Sequence, residues 1–167
     1  STTRGLEDVS KRQIKDTANI TVDRGPYGNI KRLEVSSDFI ALKTSEAGTT
    51  QIKLLPLIND SKIIGIIKTV CNTQKVCDSQ MQFYTTKWIP ISQADLLPKK
   101  NKDWFIKEDI DRNNQDFINA YAALNMAPIK YILSPNDTFL KAEHCFDKYL
   151  SEEDYKKLQP YLIDGNK

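Results

Sequence analysis

Histidine is almost absent from this chain. Its 167 residues hold one, His144, and the three cysteines, Cys71, Cys77 and Cys145, form no C-x-x-C pair. A zinc site or other transition-metal centre is therefore not expected, and no metal or cofactor is assigned. Long apolar runs are also missing. None reaches the roughly 18 residues of a transmembrane helix. There is no excess of either charge: 24 Lys and Arg stand against 22 Asp and Glu. That balance gives no electrostatic argument for nucleic acid or an anionic membrane as a partner. Six glycines and seven prolines are too few for a linker-rich or disordered chain.

What is present is strand signal, densest from Thr49 to Thr86. The run Gln51 to Leu57 alternates imperfectly, and Pro56 belongs at an edge or at a strand end because it cannot donate to a ladder. Asn59-Asp60-Ser61 is turn chemistry. Lys62 to Cys71 is rich in β-branched residues and suits a central strand covered on both faces. Gly65 within it suggests a bulge or a close approach. Ser79 to Thr85 alternates more cleanly, with Met81, Phe83 and Thr85 on one face and Gln80, Gln82 and Tyr84 on the other. Between these strands, Cys71 and Cys77 bracket a predicted hairpin tip. A disulfide fits there if the Cβ vectors converge. We expect that pair to be joined and Cys145 to be a reduced, buried thiol. The competing outcome is free thiols in a cytosolic protein.

The flanks follow the same logic. Ile20 to Asp23 and Ile30 to Val35 read as a hairpin around Gly25 to Gly28. Phe39 to Thr44 is a strand, with a hairpin tip at Gly48. After a connector through Lys107, Asp109 to Met126 has helical spacing, with Ile110, Phe117, Ile118, Tyr121 and Leu124 on one face. Asp109 and Asp111 suit its N-terminus, and Pro128 stops it. Ile129 to Leu133 and Thr138 to Cys145 form a late hairpin. A closing helix is capped by Ser151, with Asp154 three residues on, and ends at Pro160.

At this length a globule buries roughly 70% of its unfolded surface and needs no staples. The expected class is α+β: an antiparallel β-meander of hairpins with one long and one short helix packed on it. It is read as a single domain over residues 1–167, with 1–16 as a flexible N-terminal segment or a turn or two of helix.

The stretches IKLLPLINDSKIIGIIKTVC, CDSQMQFYTTKWIPI and PIKYILSPNDTFLKAEHC, with the later LSEEDYKKLQPYL, carry a resemblance. In these the chain resembles the Bacteroidales-restricted domain-of-unknown-function family of small exported proteins. The shared features are a paired-cysteine hairpin running into Cys77-Asp78-Ser79, the Phe83-Tyr84 strand with Trp88 after it, and a late hairpin before a capped helix. The resemblance implies export to the envelope of a Gram-negative anaerobe, periplasmic or secreted. The chain starts at Ser1 without Met, so a preceding piece was removed, by the cell or in preparation, and the resemblance leads us to expect a signal peptide. The resemblance imports no catalytic residue.

Four constellations carry chemistry on paper. His144-Cys145, near Glu143 and Asp147, invites thiol catalysis, which needs the imidazole within reach of the sulfur. Adjacent strand residues point to opposite faces, and Cys145 shares a face with Phe139, so an inert thiol is the plainer reading. Glu108, Asp109 and Asp111 invite calcium, but they lack the glycine and alternating oxygen ligands of an EF-hand loop. Tyr84, Trp88 and Trp104, with Phe83 and Tyr131, could line a glycan- or peptide-binding face, although aromatics are more often core. Asn19-Ile20-Thr21, Asn59-Asp60-Ser61 and Asn136-Asp137-Thr138 match a glycosylation pattern that is cheap and means little in a bacterium. The expectation is a non-enzymatic exported domain with a structural or binding role and a protein, peptide or glycan partner. The alternative is a small hydrolase or thiol enzyme using His144 or Cys145.

Overall fold

The computed structural model describes residues 21–23 and 29–163. The segment 1–16, the turn Gly25 to Gly28 and the pattern at Asn19 lie outside the described residues. Seven strands follow in chain order as one antiparallel meander: β1 Thr21–Asp23, β2 Asn29–Val35, β3 Phe39–Lys43, β4 Gly48–Pro56, β5 Lys62–Cys71, β6 Cys77–Thr85 and β7 Pro90–Ile91. A separate hairpin, β8 Ile129–Leu133 and β9 Leu140–His144, forms a second sheet. Among the described residues, three short helices join them in an α+β architecture: α1 Gln115–Ala122, α2 Phe146–Tyr149 and α3 Glu152–Leu158.

The meander forms where β-branching and turn chemistry place it. β4 ends at Pro56, and β5 runs through Gly65 in unbroken register with Lys53 and Phe83. Gly65 therefore marks close packing and no bulge: a Cβ there would lie 3.0 Å from both Leu55 Cδ1 and Met81 Cε. The irregularity sits instead between Arg32 and Glu34 of β2.

The helices depart from the spacing. Helix α1 starts at Gln115, not Asp109, because the Asn114 side chain accepts the N–H groups of Asp116 and Phe117. It ends at Ala122, and Met126 is left-handed at φ 54° and exposed. Ile118 is exposed as well, so the buried stripe is Phe117, Ala120 and Leu124. Asp109 and Asp111 precede the helix by several residues; Asp111 caps a turn by accepting the N–H of Asn113. In α3 the expected cap is present, with Ser151 Oγ accepting the Asp154 N–H at 3.1 Å.

One apolar core joins the two layers. Phe39, Ile63, Ile67, Met81 and Phe83 on one face of the meander meet Phe105, Phe117, Tyr131, Phe146 and Leu158. A polar seam runs beside it. The N–H groups of Ile129, Tyr131 and Leu133, on the side of β8 away from β9, are taken by side chains of the meander. Their acceptors are Asp78 at 3.0 Å, Ser79 at 3.0 Å and Gln51 at 2.9 Å. Gln51 also donates to Tyr131 O. Lys53, 2% exposed, donates its ammonium to the carbonyls of Ser134 and Asp137 in the β8–β9 turn.

Candidate functional site

Three surfaces are candidates. The first is at the tip of the β5–β6 hairpin. Cys71 and Cys77 are direct cross-strand partners with Cα atoms 4.0 Å apart, and they are disulfide-bonded. Cys71 donates its N–H to Ala47 O on the far side, so the pair is a non-hydrogen-bonded one, where side chains approach most closely. The spare thiol lies beside this bond. Cys145 Sγ donates to Cys77 O at 3.8 Å, and both cysteines open on a cleft of about 400 Å³ with Lys130, Glu143 and His144.

Cys145 is half-buried, less covered than expected, and Phe139 is largely exposed. The reason is that β9 ends at His144 and Cys145 begins the turn into α2, so strand alternation no longer places its side chain. Burial pushes the Cys145 thiol up from its ordinary value. A nucleophilic cysteine needs the opposite shift, since the thiolate is the reactive form. His144 is spent differently. Its Nδ1 accepts the Phe146 N–H at 3.2 Å, its ring stacks on Phe146 with centroids 4.2 Å apart, and it meets Phe105 in an edge-to-face arrangement with centroids 5.0 Å apart. Burial lowers its pKa, against the opposing pull of Asp147 and Glu143.

The second surface holds two of the three expected aromatics. Tyr84 and Trp88 have ring centroids 5.7 Å apart, and Tyr84 donates to Gln82 Oε1 at 2.8 Å. Trp88 closes the turn after β6 at φ 63°, a conformation that bulky residues rarely adopt. Trp104 does not join them. It lies in the 3-10 turn Lys102–Phe105 and packs on the apolar core, on the opposite face of β6 from Tyr84. Tyr131 is core too, 1% exposed, and burial pushes its pKa up to about 12.

The third surface is a groove of about 690 Å³ along the free side of β6. Gln80, Met81 and Gln82 form one wall, and Leu97, Lys99 and Lys100 form the other. Nothing in the sequence pattern marks it, because the connector that builds it has no periodicity. Its only forewarning is the polar face of β6.

Among the described residues no cluster of three or more His, Cys, Asp or Glu is arranged to hold a metal ion, and no helix is long and apolar enough to cross a membrane.

Comparison with known proteins supports the same frame. A solved domain of an uncharacterized protein from Porphyromonas gingivalis W83 superposes with a TM-score of 0.80 at 23% identity. The match covers 98% of this chain and 83% of that one, and at this identity it establishes the fold. No curated protein matches. The family model described as "Protein of unknown function (DUF3256)" matches residues 12–167, and the chain belongs to that family.

Proposed function

We propose that this chain is an exported binding domain of the cell envelope or secreted space, in a family restricted to Bacteroidales, and that it is not an enzyme. Its partner is a protein or peptide segment, with a glycan as the alternative at Tyr84 and Trp88. The observation that carries the reading is the Cys71–Cys77 disulfide across the central hairpin. Disulfides persist in oxidising compartments and are rare in the cytosol. Two features of the neighbouring cleft support a non-catalytic role: the Cys145 thiol is held neutral, and His144 Nδ1 accepts a backbone N–H.

The thiol-enzyme reading keeps one point in its favour, since His144, Cys145 and the disulfide share one cleft. Trapping thiols in intact cells with a membrane-impermeant maleimide, followed by fractionation, tests the export reading. We expect the chain in the envelope fraction or the medium, with Cys71 and Cys77 oxidised. A cytosolic chain with three reduced thiols overturns it. Co-purification with a partner should survive in the His144→Ala, Cys145→Ser double variant; its loss there would return the cleft to the centre of the function.

A further inference from the structure

We propose that the groove beside β6 is a peptide-binding site, taking an extended segment with an acidic side chain that adds antiparallel to the strand at Met81. This deepens the binding-domain reading and rests on it.

The argument begins with ladder parity. Asn72 donates to Val76 O across the β5–β6 hairpin, while Cys71 N–H turns away to Ala47. Hydrogen-bonded and non-hydrogen-bonded pairs alternate in an antiparallel ladder. The odd-numbered residues of β6 therefore aim their backbone groups away from β5. Thr85 obeys this, donating to Ile89 O beyond β6, and Phe83 lies opposite Ile91. Two residues further along each strand, Met81 would face Gln93. There the chain has already left the edge and coiled into the 3-10 turn Gln93–Asp95.

One rung of the sheet is thus vacated by its own connector. Among the described residues, nothing hydrogen-bonds the Met81 N–H or C=O on that side. Met81 is 3% exposed and lines the groove, so this stretch of the β6 edge lies within it. Backbone groups so placed require a partner. A single residue of an extended chain, set directly opposite, would exchange both bonds with Met81. This is the chemistry of β-strand addition.

The walls suit such an occupant. The volume of about 690 Å³ falls among ligand pockets, which run from about 300 to 1,000 Å³. Gln80 and Gln82 offer side-chain amides on either side of the vacant rung. No Asp or Glu lines the groove, whereas Lys99 and Lys100 do. Lys100 is bound to Asp78 at 2.9 Å and lies 5.4 Å from the Tyr131 ring. Lys99 is exposed and forms no ion pair among the described residues, which leaves it to complement a carboxylate.

The test is an NMR titration of the labelled, oxidised protein with blocked heptapeptides. They alternate valine and threonine and carry one glutamate at each position in turn. We expect saturable shifts centred on the Met81 amide. Methylating the peptide nitrogen that faces Met81 C=O should weaken binding about tenfold or more, a loss of about 1.4 kcal/mol. Lys99→Glu should weaken the glutamate peptide and leave its glutamine twin unchanged. Equal affinity of the N-methylated peptide, or no saturable shift at Met81 with any member of the set, overturns the proposal. Shifts gathered at Tyr84 and Trp88 also overturn it, while leaving the binding-domain reading intact. Failure of that broader reading is measured separately, by the absence of any co-purifying partner.

Discussion

The two antiparallel sheets of this protein are held by different means. In the meander, β5 satisfies its backbone on β4 and β6, register by register, from Gly48–Val70 to Cys71–Cys77. Among the described residues, each strand of the β8–β9 hairpin has one such neighbour. The outer side of β8 is instead met by Asp78, Ser79 and Gln51, and the β8–β9 turn by Lys53, all projecting from the meander. The first sheet is built from local hairpins, whose closure costs little entropy. The second is docked through contacts some fifty to eighty residues apart in sequence: Ser79 with Tyr131, Lys53 with Ser134. A few buried side chains therefore carry a load that backbone ladders carry elsewhere.

The largest way to break this comparison is to remove apolar cover from the second layer. Phe117 is 3% exposed, stacks on Tyr121 and packs edge to face with Tyr161, with ring centroids 5.2 Å apart in each pair. Phe117→Ala should cost about 3–5 kcal/mol, measured by urea denaturation. A single shifted transition means the layers unfold together. Two transitions mean that the meander stands without its partner layer. A parent-like midpoint would falsify the assignment of this residue to the core.

Next in size is the seam. Lys53→Met keeps the aliphatic stem but leaves the carbonyls of Ser134 and Asp137 without their donor. Unmet buried acceptors cost about 1–3 kcal/mol each, and access of water to the turn reduces that. We expect a loss of about 2–4 kcal/mol. Lys43→Met on β3, where the ammonium only reaches Glu46 at 3.8 Å, should stay within about 0.5 kcal/mol. Equal effects at the two lysines would mean that the seam is a consequence of docking and not a cause.

The hairpin tip comes third. Joining Cys71 to Cys77 closes a loop with a sequence separation of 6, so the chain-entropy model gives roughly 2–2.5 kcal/mol. The Cys71→Ser, Cys77→Ser double variant should fold at room temperature and melt lower. In the parent, one thiol should react, and three after unfolding without reductant would refute the pairing. Because the meander already aligns these residues, the bond should matter less to the ladder than Lys53 matters to the docked hairpin.

This difference also explains what the sequence revealed. Strand ends at Pro56, Lys62, Cys71 and Thr85 were legible because β-branching and turn residues act locally. The Ser151 cap was legible for the same reason. The seam was not. Gln51 and Lys53 occupy the inward face of β4 while Ile52 and Leu54 lie on the other, the reverse of what polarity suggests. Only the unmet carbonyls of the β8–β9 turn make a buried lysine sensible, and they lie some eighty residues away. The extent of α1 was overestimated for a related reason. Its apolar spacing continues on both sides, whereas Asn114 and the left-handed Met126 set the actual ends. Asn114 is a residue type that caps helices, and its cap falls inside the apolar stripe. Of the candidate sites, the disulfide could be anticipated from hairpin geometry. The β6 groove could not, because it exists where a connector leaves a strand.

The smallest expected effect is on pH dependence, and it separates the two layers chemically. His144 closes β9, against Phe105 and Phe146, and burial holds its pKa below the ordinary 6.5. The neutral ring is the folded form, with Nδ1 accepting the Phe146 N–H. As pH falls through 6.5 the unfolded chain takes up this proton before the folded one does. Stability rises with pH wherever the unfolded state binds more protons, so it must fall as pH drops below that value. The loss stops once pH lies below the folded pKa. Glu143 and Asp147 favour the charged ring and keep the loss small. Melting between pH 7.5 and 5 should therefore show a decline that His144→Gln removes. The meander contains no histidine, so any decline left in that variant belongs to carboxylates. A variant whose melting temperature falls as steeply as the parent's would remove His144 from the hold on the second layer.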